Sequence, residues 1–405
     1  MTAAADGAPR GRIELLDALR GVALLGIFLM NVEWFSRPMQ ELGMGPPADA
    51  AGLDALLGWG IFAVVQGKFW VLFSLLFGMS FAAMEAAAPA RGFVPTMLRR
   101  LGMLAALGVA HALLLWPGDI LLAYAVAGLG LLLFRGIDAR VLAGLGIAVY
   151  MAMALLGLLG SLMMVGMPEQ MADTLDGLAA DRAAGVVRGE VYATGGYAAV
   201  TAARWQDFVA VTLAGLGNSA STLGVFLVGV WFFRSGVVAD PAAHRRTLGW
   251  IAVLGLMVGV PLVWAATARA MALEAGDIGG QYLALSIMLL GNLPVALAYL
   301  ALLALGLSAP LARGLRSALA PAGRMALTNY LMQSLVASLV FYGYGLGQWG
   351  QMGRTGQCAL VLVVFAAQLA LSRWWLARFA YGPVEWLWRA FARQAWPRWR
   401  AGAAG

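Results

Sequence analysis

The chain has 405 residues, 62% of them hydrophobic and 12% charged, with a formal net charge of +7. So little charge excludes an ordinary soluble domain, and continuous apolar runs of about 20 residues exclude a β-barrel of ~10-residue alternating strands. What remains is an all-α, polytopic integral membrane protein whose Arg-rich short connections read as topology control, not nucleic-acid binding.

Apolar segments of spanning length occur at about 18–36, 69–88, 100–116, 119–135, 140–164, 207–233, 247–268, 279–306, 324–346 and 357–379. The first follows Arg10 and Arg12 without a small-x-small cleavage signal, so it reads as a retained span and not a signal peptide. The stretch 53–66 is shorter, and reads either as an interfacial helix or as the start of a long second span. Placing the N-terminus inside puts most basic residues inside: Arg91, Arg99, Arg100, Arg135, Arg140, Arg234, Arg245, Arg246, Arg313 and Arg316, then Arg389, Arg393, Arg398 and Arg400. The outer segments keep Arg37, Arg269 and Arg354, plus Arg182, Arg188 and Arg204 in one long loop. This asymmetry predicts about ten spans with both termini cytoplasmic.

The predicted organisation is an N-terminal tail (1–17), a five-span half (18–164), an outer loop (165–206), a second five-span half (207–380) and a basic, aromatic tail (381–405). That tail is expected to lie along the inner leaflet, with its Arg near anionic lipid and its Trp at the headgroups. Cys358 is the only cysteine, and His111 and His244 are far apart, so no disulfide and no metal centre is expected. Walker, dinucleotide-fingerprint and HExxH motifs are missing from the sequence.

Ionisable groups within spans are costly and tend to be functional, which singles out four constellations. Asp17, Arg20 and Asn31 share one stripe of the first span, with Arg20 and Asn31 roughly 16 Å apart along the axis. Lys68 enters the second span, either as a snorkelling anchor or as a cation for an anionic substrate or oxyanion. Nearby Ser74, Gly78 and Ser80 suit close helix packing. His111 and Asp119 flank a Trp116-Pro117-Gly118 turn, where Asp119 could orient a His base or simply cap a helix. Asn329 and Gln333 lie one turn apart in GRMALTNYLMQSL, open to helix–helix hydrogen bonding or substrate contact. Asn218, Ser219, Ser221 and Thr222, and Asn292 with Pro294, are weaker versions. His244 reads as solvated and inert.

The blocks RIELLDALRGVALLGIFLMN, GKFWVLFSLLFGMSF, RRLGMLAALGVAHALLLWPGDILLAYAVAGLGLLLFR and GRMALTNYLMQSL resemble the YeiB-like family of bacterial inner-membrane proteins. That family looks distantly similar to the transmembrane acyltransferases, namely heparan-α-glucosaminide N-acetyltransferase and the family-3 acyltransferases. The family-3 enzymes resemble this chain at Leu16-Asp17 and Arg20-Gly21, but keep a His where this chain has Asn31. The resemblance implies a multi-pass inner-membrane enzyme moving an acyl group, acetyl above all, from cytoplasmic acetyl-CoA or another acyl-CoA to an extracytoplasmic sugar, lipid or small-molecule hydroxyl or amine. His111 would be the base, Asp119 its orienting group, Asn31 or Lys68 the oxyanion partner and Arg20 a contact for a CoA phosphate. Two rival expectations stay open: a small-solute or lipid transporter or channel, and a non-catalytic membrane protein. Membrane lipid is an expected partner, and a homodimer is left open.

Overall fold

The computed structural model describes residues 10–401 apart from 42, 48, 89–91 and 275; Arg91, counted above among the inner basic residues, lies outside the described residues. In chain order the helices are α1 (Arg10–Trp34), α2 (Gly52–Val64), α3 (Lys68–Ala87), α4 (Phe93–Leu114), α5 (Leu121–Leu131), α6 (Ala139–Gly166), α7 (Ala172–Thr194) and α8 (Tyr197–Gly217). There follow α9 (Ser219–Arg234), α10 (Arg245–Met271), α11 (Ile278–Ser308), α12 (Arg313–Arg324), α13 (Ala326–Phe341), α14 (Arg354–Leu376) and α15 (Pro383–Arg393). A lipid-facing segment must satisfy its backbone internally, and helices do so.

Among the described residues, seven helical segments are long and apolar enough to cross a membrane, and the shorter apolar helices Leu121–Phe134, Ser219–Arg234 and Ala326–Phe341 fall on the remaining expected segments. Three boundaries differ from expectation. Helix α1 starts at Arg10, inside the expected tail. The stretch 165–206, read as an outer connection with helix-like pieces, holds α7 and the start of α8. The expected span 207–233 is broken at Asn218 into α8 and α9, where the hydroxyls of Ser219 and Thr222 bond back to the Gly215 and Asn218 carbonyls and compete with helical pairing.

The stretch 53–66 is the start of a long second span. Together α2 and α3 form an apolar run of 36 residues. The run is interrupted at Gly67, whose φ of 76° lies in the left-handed region where a Cβ is penalised. The core centres on α9, which is buried along most of its length. It approaches α3 through glycines: a Cβ on Gly78 would collide with the Phe226 carbonyl, and one on Gly229 with the Leu75 carbonyl. Small residues at such crossings let backbones touch, the usual device where no hydrophobic effect separates helix from lipid.

Two ends of the bundle matter for function. One carries the α4–α5 turn, the C-terminal end of α1 and the cap made by α7 and α8. The other carries Asp17, Arg20, α12 and the amphipathic α15.

Candidate functional site: a buried His–Asp pair

The α4–α5 hairpin is built around His111. Pro117 cannot continue the helix, and α4 closes with the amides of Leu115 and Trp116 both bonded to the His111 carbonyl at 2.9 Å. Asp119 follows the turn and serves two purposes. Its Oδ2 accepts from the Leu122 amide at 2.9 Å, capping α5, while its Oδ1 lies 2.8 Å from His111 Nδ1. Both readings of Asp119 offered by the sequence, cap and His partner, are therefore realised by its two oxygens. The pair is sealed: the His111 side chain is 0% and the Asp119 side chain 3% exposed.

A carboxylate only accepts, so it fixes the proton of a neutral imidazole on Nδ1 and leaves the Nε2 lone pair available. His111 Nε2 is buried and has no hydrogen-bond partner among the described residues. Its surroundings are aromatic, with the Tyr330 ring centroid at 5.0 Å and that of Trp116 at 6.3 Å. Tyr330 lies beside Asp119 and the Ile120 amide. A narrow cleft of about 20 Å³ reaches Asp119 between the hairpin and α8, lined by Pro117, Leu122, Phe208, Val211 and Thr212 among others.

Helix α8 fastens this arrangement. The buried Arg204 donates to the Leu114 carbonyl and to the Tyr344 hydroxyl, both at 2.7 Å. A cation at the C-terminus of α4 also complements the helix dipole. Asp207, one turn on, accepts from Arg188 (2.7 Å) and from Tyr192 (2.8 Å), tying α7 to α8. Burial pushes the Tyr192 phenol well above its ordinary pKa, so it stays a donor to Asp207.

The other expected residues are distributed around α1. Trp116 stacks on Phe35 at 4.6 Å and approaches Trp34 at 6.3 Å, which brings the last turn of α1 against the hairpin. Asn31, one turn earlier, is 5% exposed. No hydrogen bond joins it to His111 or Lys68, and its amide makes none elsewhere among the described residues. Lys68 does not snorkel. It is fully buried, with Nζ 3.4 Å from the Phe62 carbonyl and 2.9 Å from the Met288 sulfur, and no carboxylate pairs with it. Its neighbour Gly67 donates to the Met30 sulfur at 3.5 Å, so Lys68 and Asn31 flank the same turn of α1. The Asn292 amide rests on Gly67 and its Oδ1 is buried without a partner.

Arg20 sits far along α1 from Asn31. It pairs with Asp17 and donates to Ser80 Oγ at 2.7 Å. Asn329 and Gln333 do not meet His111; they face α14. Asn329 donates to the Ala322 carbonyl and to Ser372, while Gln333 donates to Gln368, whose own amide returns to the Asn329 carbonyl. Their polarity is spent on helix–helix bonding. Tyr330, one residue from Asn329, is the side chain from that motif which reaches the His–Asp pair. Sequence reasoning passed over it, and Gly108 and Arg204 as well. A helical wheel turns Tyr330 about 100° from Asn329.

A helical chain with this many spanning-length apolar helices, with a His–Asp pair sealed among them and a half-buried Arg–Asp pair at the other end, is a polytopic integral membrane protein. It belongs to the YeiB-like family. The chain is 33% identical over 404 residues to the uncharacterized protein YeiB of Escherichia coli, covering 94% of this chain and 96% of that one. It is 30% identical over 409 residues to the uncharacterized protein YxaH of Bacillus subtilis, covering 95% of each. A 39.9 kDa protein encoded beside an amylase in Bacillus acidopullulyticus is 26% identical over 393 residues, 93% of each chain. The family described as "Protein of unknown function (DUF418)" matches residues 232–394. No solved structure gives a significant match.

Proposed function

We propose that the chain is an inner-membrane acyltransferase that passes an acyl group, acetyl in the simplest case, from cytoplasmic acyl-CoA to a hydroxyl or amine at the outer face. The observation that supports it is the His111–Asp119 pair: a buried imidazole held by a carboxylate at Nδ1, with Nε2 unpartnered. This is the arrangement of a general base whose tautomer and orientation are set by a second residue. The basic-residue asymmetry assigns the His111 end to the outside and the Arg20 end to the cytoplasm.

In the proposed reaction the acceptor O–H or N–H gives its proton to His111 Nε2. The oxygen or nitrogen then bonds to the thioester carbonyl carbon. The tetrahedral oxyanion collapses, the C–S bond breaks, and the CoA thiolate takes the proton from the imidazolium. Asp119 stabilises the imidazolium between those steps. Asn31, with its amide uncommitted, and Lys68, with its ammonium unpaired, are the groups assigned to the oxyanion. Arg20, half-buried at the cytoplasmic end, is assigned to a CoA phosphate. Asn329 and Gln333 take no part.

The test is acetyl-CoA turnover by the purified chain in nanodiscs. His111→Ala should abolish release of CoA while leaving the thermal unfolding transition in place. Equal turnover by wild type and variant would remove His111 from the chemistry. Solute flux into proteoliposomes without any CoA release would favour the transporter.

A further inference from the structure

The end of the molecule opposite His111, where Arg20 lies, holds a second arrangement built around residues that the proposed chemistry does not use. Helix α15 folds back under α4 and α13. Glu385 is buried and accepts from the Leu327 and Thr328 amides and the Thr328 hydroxyl, so the carboxylate caps α13 from 58 residues further along the chain. Trp388 donates its indole N–H to the Arg100 carbonyl at 2.8 Å, and Arg99 reaches the Ala392 carbonyl at 3.5 Å. These contacts fix α15 and bring its arginines against those of α4.

The result is an excess of positive charge. The Arg100 guanidinium lies 3.9 Å from the Trp388 ring centroid, and that of Arg389 lies 4.5 Å from the Tyr381 ring. Among the described residues neither side chain donates a hydrogen bond or makes an ion pair, and Arg100 Nε is buried without a partner. Arg100 feels the repulsion of Arg389 and Arg393, and Arg389 that of Arg393 and Arg20. The carboxylates in reach are Asp17, already paired with Arg20, and Glu385, already committed to the α13 amides. Burial and these neighbours hold the Arg389 pKa below its ordinary value, as expected where counter-charge is missing.

We infer that the junction of α4 and α15, with Arg100 and Arg389 at its centre and Arg393 and Arg20 beside them, binds a phosphate-bearing ligand. A guanidinium stacked on a ring is held in place with its N–H groups left for hydrogen bonding at the edge, and such an edge takes a phosphate through two parallel hydrogen bonds. A second such edge alongside matches a dianion or two linked phosphates. Two sources supply that chemistry at a membrane surface: an anionic lipid headgroup and a soluble phosphate ester or anhydride. The inference holds whether or not the chain transfers acyl groups.

The test uses the full-length chain. In one arm the protein in nonionic detergent is titrated with inorganic pyrophosphate. In the other it is reconstituted in phosphatidylcholine nanodiscs with and without phosphatidylglycerol, and thermal unfolding is followed in both. At least one probe should stabilise the wild type, with an effect that falls steeply as salt rises. Arg100→Gln/Arg389→Gln should weaken that response about tenfold or more, since each lost charge-assisted bond is of that order. Without probe the same variant should unfold at or above the wild-type temperature, because it removes repulsion; arginines with a purely structural role would give the opposite. Should it fail to fold, Arg100→Lys/Arg389→Lys decides, keeping charge but losing the forked edge, with binding expected several-fold weaker. Response to pyrophosphate alone marks a soluble ligand, and to phosphatidylglycerol alone a headgroup. No response by the wild type to either probe, or an undiminished response by the variants, overturns the inference.

Discussion

Gly108 lies directly against the Asp119 carboxylate. A Cβ at that position would come within 2.6 Å of both Asp119 Oδ2 and the Leu122 amide nitrogen. The missing side chain is what allows the start of α5 to close onto α4, one turn before His111. Gly108→Ala should force the hairpin apart and lower stability by about 1–3 kcal/mol, the usual cost of overpacking. Gly102, on the same helix with open space around its Cα, supplies the control: Gly102→Ala should be neutral or slightly stabilising. Thermal unfolding of both variants in detergent checks the pair, and equal effects would refute the close approach.

Asp119→Asn keeps the shape of the side chain and one acceptor for the Leu122 amide. Its other terminus becomes an N–H₂ facing His111 Nδ1, which then has to accept and moves the ring proton to Nε2. On the proposed chemistry the base is blocked, and acetyl-CoA turnover should fall about 10²-fold or more. Nitrogen-15 NMR of the labelled His111 ring should report the change of tautomer independently of any substrate.

Lys68→Met replaces a buried amine, which meets no carboxylate among the described residues, by an apolar chain of similar length. Removing an uncompensated buried charge should raise stability by about 1 kcal/mol or more. If the ammonium stabilises the oxyanion, turnover falls while the unfolding temperature rises. That opposed pair of changes separates a chemical role from a structural one, since loss of a structural residue would lower both.

Burial raises the Glu385 carboxyl pKa above its ordinary 4.5, against the lowering effect of its bonds to Thr328 and Leu327. The folded chain therefore binds this proton more tightly than the unfolded chain. Its contribution to stability is complete below pH 4.5 and is lost as the pH rises from there to the raised value. Glu385→Gln cannot titrate, so the stability difference between wild type and variant should shrink with pH across that window. A difference independent of pH would mean that the carboxyl titrates normally.

Much of the fold could be read from composition, because a membrane leaves few choices once an apolar run is long enough. The broken segments were harder. Asn218 ends α8 through hydroxyl-to-carbonyl bonds that hydropathy does not register, and α7 is a helix whose polarity imitates a loop. In the site, His111 and Asp119 were legible because the turn between them is short and both are rare within spans. Tyr330 was not, since the contact joins α13 to the hairpin across more than 200 residues and nothing in either segment encodes it. Lys68 stayed open between an anchor and an internal cation because its burial depends on Phe62 and Met288, which lie on two other helices. Arg100 and Arg389 looked like ordinary topology signals until α15 was seen folded beneath α4.

The Glu385 cap sets an order of events in biosynthesis. The first amides of α13 are bonded by a side chain that leaves the ribosome 58 residues later. Until α14 has been inserted and α15 has turned back, that end of α13 stays unfinished, and so does the ring of arginines that α15 completes. Insertion of the last spans and closure of that end of the bundle thus become a single late step. A chain halted before residue 385 would already hold its His–Asp pair while lacking the floor on the opposite side of the membrane.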